Sequence, residues 1–163
     1  MKTLYLIRHA KSDWSIGHVS DIDRPLNERG YSDAHTMSLI VKEKKIVPDL
    51  IISSPAVRAI STALLFCRIL NYDPKSILIN KNLYDTSAKE YIHAISKIDN
   101  KHKVVFLFGH NPTITNTANA LTNAMTEEMP TCAIAGIQSD VSDWDVFSKK
   151  NNGLVYFDIP KNH

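Results

Sequence analysis

The sequence predicts an α/β protein with a mainly parallel central sheet. Three observations carry this. Short apolar runs at residues 3–7, 50–52 and 104–108 show no polar alternation, as expected of strands covered on both faces. Segments with helical spacing of apolar residues alternate with these runs as far as residue 121. Helix-start residues (Asn27, Ser54-Pro55, Ser87 and Asn111-Pro112) stand at the boundaries between them.

Residues 3–7 read as the first strand. Residues 11–25, rich in Ser, Asp and Gly, read as a loop. Asn27 is the expected N-cap of a helix over 28–44, with Ala34, Met37, Leu39, Ile40 and Val41 as its apolar positions. Gly30 is a weak point in its first turn. Pro48-Asp49 punctuates the chain, and Leu50-Ile51-Ile52 is the second strand. Ser54 as N-cap and Pro55 at N1 predict the next helix, with Ala59, Ala63, Leu64, Phe66 and Leu70 forming a wide apolar stripe. Residues 76–79 are the third strand. Ser87 caps a helix to about residue 98, with Tyr91, Ile92 and Ile95 facing in. A strand over 103–108 leads to a helix from Asn111-Pro112 to about residue 121. Residues 132–138 and 154–158 read as two more strands paired at one sheet edge. A polar loop with a short turn at 142–147 joins them.

The 163 residues predict one domain, 1–163, with a core of its own. Nineteen basic residues against seventeen acidic ones leave a charge of +2. That balance argues against nucleic acid or an anionic membrane as the main partner. The densest basic run, Lys42-Glu43-Lys44-Lys45, reads as a solvated helix end. No segment has the uninterrupted apolar length of a membrane span. The first apolar run is too short for a signal peptide and is interrupted by Arg8-His9. Cys67 and Cys132 are far apart and outside any C-x-x-C spacing, so both are expected as free structural thiols. These features together predict a cytoplasmic chain.

Three predicted strands deliver a cation or an imidazole at or just beyond their carboxyl ends. Arg8-His9 ends the first, Arg58 follows the second, and Gly109-His110-Asn111 ends the fourth. In open parallel sheets ligands sit beyond those ends. Two arginines and two histidines there describe an anion pocket suited to phosphoryl transfer. The transferred group carries negative charge on its oxygens, and arginine forks stay charged and meet two oxygens at once. Backbone N–H groups at the helix starts after Ser54 and Asn111 add donors. A neutral imidazole has a lone pair free to attack, and flanking cations disfavour its protonated form. His9, beside Arg8, is the candidate nucleophile for a two-step covalent route, and His110 the candidate hydrogen-bond donor to the phosphoryl oxygens. Arg24 and Lys11 border the site or are surface charges. His18, His35, His93, His102 and His163 show no ligand spacing, so no metal site is expected. Nor is there a Gly-rich nucleotide loop of the Walker or dinucleotide type.

These residues resemble the histidine phosphatase superfamily. Leu6-Ile7-Arg8-His9-Ala10 resembles its Arg-His-Gly signature. Residues 53–63, with Arg58-Ala59 and Thr62-Ala63, resemble its S-x-x-x-R-A-x-x-T-A motif, and Gly109-His110-Asn111-Pro112 its third. The short length, Arg8-His9-Ala10-Lys11-Ser12, Asp23-Arg24-Pro25-Leu26, and Trp144 with Phe157 look like the SixA branch, named for protein phosphohistidine phosphatase activity. The resemblance implies a three-layer α/β/α sandwich, phosphoglycerate mutase-like, working without cofactor or metal. It also implies that His9 is phosphorylated, with Arg8, Arg58 and His110 completing a phosphate site that Asn111 adjoins.

Two departures stand out. Ala10 replaces the usual Gly. The family's general acid often lies in an L-x-E pattern, matched here by Leu83-Tyr84-Asp85. Asp85 is therefore either the acid or a turn residue before Thr86-Ser87. An alcohol leaving group gains from such an acid, whereas an imidazole leaves far more easily. The expected substrate is accordingly phosphohistidine on a protein, hydrolysed by a monomer. A small phosphate ester, such as a sugar phosphate or nucleotide, is the first alternative. A non-catalytic phosphate-pocket binding protein is the second.

Overall fold

A computed structural model describes residues 1–163. Its strands are β1 (Lys2–Arg8), β2 (Leu50–Ser53), β3 (Leu78–Ile79), β4 (Val104–Gly109), β5 (Ile134–Ser139) and β6 (Gly153–Asp158). They form one six-stranded sheet in the order β3-β2-β4-β1-β5-β6. The first four strands run parallel to one another, while β5 is antiparallel to both β1 and β6. The helices are α1 (Glu28–Glu43), α2 (Val57–Leu70), α3 (Ala88–Ser96), α4 (Thr113–Thr122) and α5 (Trp144–Lys149).

The unalternating strands are apolar because both sheet faces are covered. Leu4, Leu6, Leu50, Ile52, Val105 and Leu107 face one core, closed by Tyr91, Ile95, Ile114, Leu121, Trp144 and Phe147 of α3, α4 and α5. Tyr5, Ile7, Ile51, Phe106 and Phe108 face the other, closed by Met37, Val41, Phe66 and Cys67 of α1 and α2. This is the expected three-layer α/β/α sandwich.

Local differences from expectation have identifiable causes. Asn27 does cap α1, its side chain accepting from the Gly30 N–H at 2.8 Å. Gly30 is a requirement rather than a weakness, since a Cβ there would collide with the Lys11 carbonyl. Leu39 is exposed, and Ser38 is buried in its place, its hydroxyl bonded to the His35 carbonyl. α2 begins at Val57, with Ala56 rather than Ser54 at its cap. β3 is shortened by a 3-10 turn over Pro74–Ser76, which the Asp73 side chain caps. The turn expected at 142–147 is the helix α5, capped by Asp143 through the Asp145 and Val146 N–H groups. No helix is long and apolar enough to cross a membrane.

Candidate active site

β4 lies between β1 and β2, and Arg8 pairs with Gly109 in register. His9 and His110 are therefore the next residues on adjacent strands, and their ring centroids stand 5.1 Å apart. The His9 N–H donates to the Gly109 carbonyl at 3.0 Å, and its own carbonyl accepts from Cys132 at 3.0 Å. The ring is as constrained as the backbone. Nδ1 lies 2.7 Å from the Ala10 carbonyl, which can only accept, so Nδ1 carries the proton. Nε2 is left with the lone pair, and the Arg58 Nε–H points at it from 3.4 Å. Ala10 is itself held, its N–H donating to Thr62 Oγ1 at 3.0 Å.

His110 is placed by groups on both sides. Its N–H donates to the buried Tyr91 hydroxyl at 3.1 Å, and that hydroxyl donates to the Leu83 carbonyl at 2.8 Å. Tyr91 approaches so closely that a Cβ on Gly109 would overlap its hydroxyl. The ring Nε2 of His110 pairs with Ser54 Oγ at 2.7 Å. Burial, first, and then the neighbouring His110, Arg58 and Arg8 hold His9 down to about 3, against a partial upward pull from the Ala10 carbonyl. Burial, followed by Arg58, holds His110 down to about 4. Both rings are neutral at pH 7. Desolvation, more than the flanking cations the sequence suggested, is the main cause.

Arg58 is nearly buried on the first turn of α2. Its Nη1 donates to the Asp21 carbonyl at 2.6 Å and its Nη2 to the Asp21 carboxylate at 3.1 Å. That carboxylate also accepts from Arg24 Nη2 at 2.7 Å and from the Tyr84 hydroxyl at 2.5 Å. These partners, Arg24 first, hold it ionised well below the usual carboxylate range. Arg24 is buried, bonded also to Ser12 and stacked 3.6 Å under the exposed Trp14 ring. The Tyr84 ring meets the His110 ring edge-on at 5.6 Å. Arg8 donates to the Met129 carbonyl through Nη1 at 2.8 Å. Two buried side-chain atoms here have no partner, Arg8 Nε and His110 Nδ1.

The structure thus brings Arg8, His9, Arg58 and His110 to one end of the sheet. Asn111 adjoins them, but its amide is engaged by Met129 and Thr115. Asp85 follows Tyr84 with an exposed side chain and a left-handed φ of 49°. Arg24 is a buried part of the cluster and not a surface charge. The Lys11 carbonyl accepts from the Asn27 N–H, at the start of α1. Sequence reading assigned no site role to Ser54, Asp21, Tyr84, Tyr91 or Trp14. Ser54 was legible as a polar residue at a strand end, but its helix-cap reading took precedence. A cavity of about 790 Å³ lined by Leu50, Ile52, Leu78 and Ile98 lies apart from all of these residues. No group of three or more His, Cys, Asp or Glu side chains is arranged to hold a metal ion.

The description of the histidine phosphatase superfamily (branch 1) matches residues 4–91. The chain belongs to the histidine phosphatase superfamily. Membership together with phosphatase-named relatives supports a phosphatase, as the sequence motifs led us to expect; membership alone fixes neither that nor the substrate, since phosphoglycerate mutases also match. A Hydrogenobacter thermophilus protein named as a phosphoserine phosphatase is 31% identical over 135 residues, covering 80% of this chain and 58% of that one. This chain therefore spans well under two thirds of that relative. An uncharacterized chloroplastic protein of Arabidopsis thaliana is 26% identical over 152 residues, covering 88% of this chain and 69% of its own length. Among solved structures, SixA of Agrobacterium tumefaciens is 28% identical with a TM-score of 0.81, covering 96% of each chain. The protein histidine phosphatase SixA, solved with tungstate, has a TM-score of 0.83 over 98% of each chain. At 22% identity it shares the fold with this histidine phosphatase superfamily member.

Proposed function

We propose that the chain hydrolyses phosphohistidine on a protein by passing the phosphoryl group through Nε2 of His9. The observation that carries this is the tautomer of His9. The Ala10 carbonyl accepts a hydrogen bond from Nδ1–H, so the nucleophilic lone pair sits on the nitrogen that faces Arg58. Burial keeps that nitrogen unprotonated at neutral pH.

In the first step the substrate's N–P bond breaks as the His9 Nε2–P bond forms. The substrate's ring, protonated on its other nitrogen, keeps the electron pair of the broken bond and so departs as neutral imidazole. The His9 ring gains positive charge as it is phosphorylated, and the Ala10 carbonyl on Nδ1–H stabilises it. Arg8, Arg58 and His110 meet the phosphoryl oxygens, which supply partners for Arg8 Nε and His110 Nδ1. In the second step water attacks phosphorus, the Nε2–P bond breaks with its electron pair returning to Nε2, and the water's protons leave with phosphate or solvent.

The choice of phosphohistidine is supported by the carboxylates. An alkoxide leaving group needs a protonated acid. The carboxylate bonded within the cluster, Asp21, is held ionised by two arginines and a tyrosine, so it has no proton to give. A phosphohistidine ring protonated on its free nitrogen leaves as neutral imidazole without that help. Likeness to the SixA structures points the same way. We further read the chain as a cytoplasmic monomer that needs no metal.

The deciding experiment compares turnover of a phosphohistidine protein with a panel of phosphate esters, using His9→Ala and Asp85→Asn. We expect the phosphohistidine protein to be preferred. His9→Ala should lose several orders of magnitude, and Asp85→Asn should keep full activity on phosphohistidine. Efficient ester turnover abolished by Asp85→Asn would instead identify a small-molecule phosphomonoesterase. Binding without turnover, unchanged in His9→Ala, would identify a non-catalytic binder.

A further inference from the structure

We propose that Asp21 is a positioning residue, holding the Arg58 fork in register with the reacting imidazole; this rests on the phospho-His9 reading. Asp21 touches neither histidine and acts through Arg58. Both terminal nitrogens of Arg58 are bonded to this one residue, Nη1 to its carbonyl at 2.6 Å and Nη2 to its carboxylate at 3.1 Å. Two-point anchorage fixes the plane of a planar group. With the far edge of the fork fixed, the remaining Nε–H points at His9 Nε2 from 3.4 Å.

The anchor is needed because the local forces work against this arrangement. Arg58 sits at the N-terminal end of α2, where the helix dipole disfavours a cation. It also shares the pocket with Arg8 and Arg24, and like charges repel. The Asp21 carboxylate is bonded to two of these three guanidiniums, Arg24 at 2.7 Å and Arg58 at 3.1 Å. Its own position is fixed in turn. Arg24 is bonded to Ser12 and stacked on Trp14, so it cannot swing away. Tyr84, from the segment before α3, closes on the same carboxylate at 2.5 Å. Asp21 therefore ties the loop after β1 to the opposite rim of the site.

The alternative is that Asp21 is a plug, an internal anion that substrate phosphate must displace. The two roles have opposite kinetic signatures. Removing a plug lowers KM and leaves saturated turnover intact. Removing a positioning residue lowers kcat. It does so without weakening the hold on inorganic phosphate, because the pocket loses a negative charge and becomes more positive. A general loss of structure would weaken both.

The test uses Asp21→Asn, Asp21→Ala and Asp21→Glu in the full chain. It measures kcat and KM on a phosphohistidine protein, inhibition by inorganic phosphate, and thermal midpoint. We expect kcat to fall at least tenfold in Asp21→Asn, with phosphate inhibition as strong as in wild type or stronger. Asp21→Glu, which keeps the carboxylate, should retain more activity than Asp21→Asn. Wild-type kcat in Asp21→Asn, or a lower KM with unchanged kcat, would overturn the positioning role alone. Should Asp21→Ala not fold, the near-isosteric Asp21→Asn decides. Full activity of His9→Ala would overturn both this role and the reading beneath it.

Discussion

Acidification from pH 7 to pH 5 should destabilise this protein through His9 and His110, and His9→Ala should remove about half of that loss. In the folded chain the two imidazoles are held down to about 3 and about 4, against an ordinary value of 6.5. As pH falls below 6.5 the unfolded chain takes up a proton on each ring, while the folded chain does not until pH approaches 4. The unfolded state therefore binds more protons in this window, and stability falls with pH. One pKa unit corresponds to about 1.36 kcal/mol. Going from pH 7 to pH 5 thus costs about 2 kcal/mol per ring and about 4 kcal/mol for the pair. That is a large part of a typical folding free energy of about 5–15 kcal/mol. Asp21 does not blur the result, because its depressed carboxylate titrates well below this window. The assay is urea unfolding of wild type and His9→Ala at both pH values. Taking the difference between the two pH values within each protein cancels the packing cost of the substitution. Wild type should lose about 2 kcal/mol more than the variant over this interval. An equal loss in both would mean that the His9 ring charges as readily when folded as when unfolded, and the neutral nucleophile would fall with it.

Other outcomes follow from single contacts. Ser54→Ala leaves His110 Nε2 without its 2.7 Å partner, and steady-state kinetics should show kcat reduced about tenfold, in line with one lost hydrogen bond of roughly 1–1.5 kcal/mol. Tyr91→Phe strands the His110 N–H and the Leu83 carbonyl inside the core. Urea unfolding should show a loss of about 2–6 kcal/mol, since each of the two unsatisfied buried groups costs about 1–3 kcal/mol.

Much of this was legible in the sequence because the same residues are constrained twice. Apolar runs without alternation predicted a sheet covered on both faces, and strand ends bearing Arg8-His9 and Gly109-His110 predicted where a ligand would sit. What escaped was contact between segments far apart in sequence. Asp21 reads as one of several acidic loop residues until Arg58, 37 positions on, and Tyr84, 63 positions on, close over it. Arg24 reads as a surface charge until Trp14 and Ser12 bury it. Ser54 has the local signature of a helix cap, yet its hydroxyl also reaches His110, 56 residues away. Gly30 looked unfavourable because propensity considers only the helix that contains it, whereas the Lys11 backbone passes against it.

The site depends on strand order and register together. Within β1 and β4 alternation commits each side chain to one core or the other: Leu6 and Leu107 to one, Ile7 and Phe108 to the second. A charged or catalytic residue in the middle of that pattern would be buried in apolar packing, and Arg8 stands at its last paired position. One residue past the paired ends the alternation no longer applies, and the side chains are free to face each other across the strand tops. Because Arg8 pairs with Gly109, His9 and His110 reach that point together. A one-residue slip of β4 against β1 would exchange the two faces of β4 and move His110 out of step with His9. Tyr91 guards against such a slip, its hydroxyl fitting against the Cβ-free Gly109 and bonding the His110 N–H. A core residue of α3 thereby helps to fix the spacing of the two imidazoles through the His110 backbone.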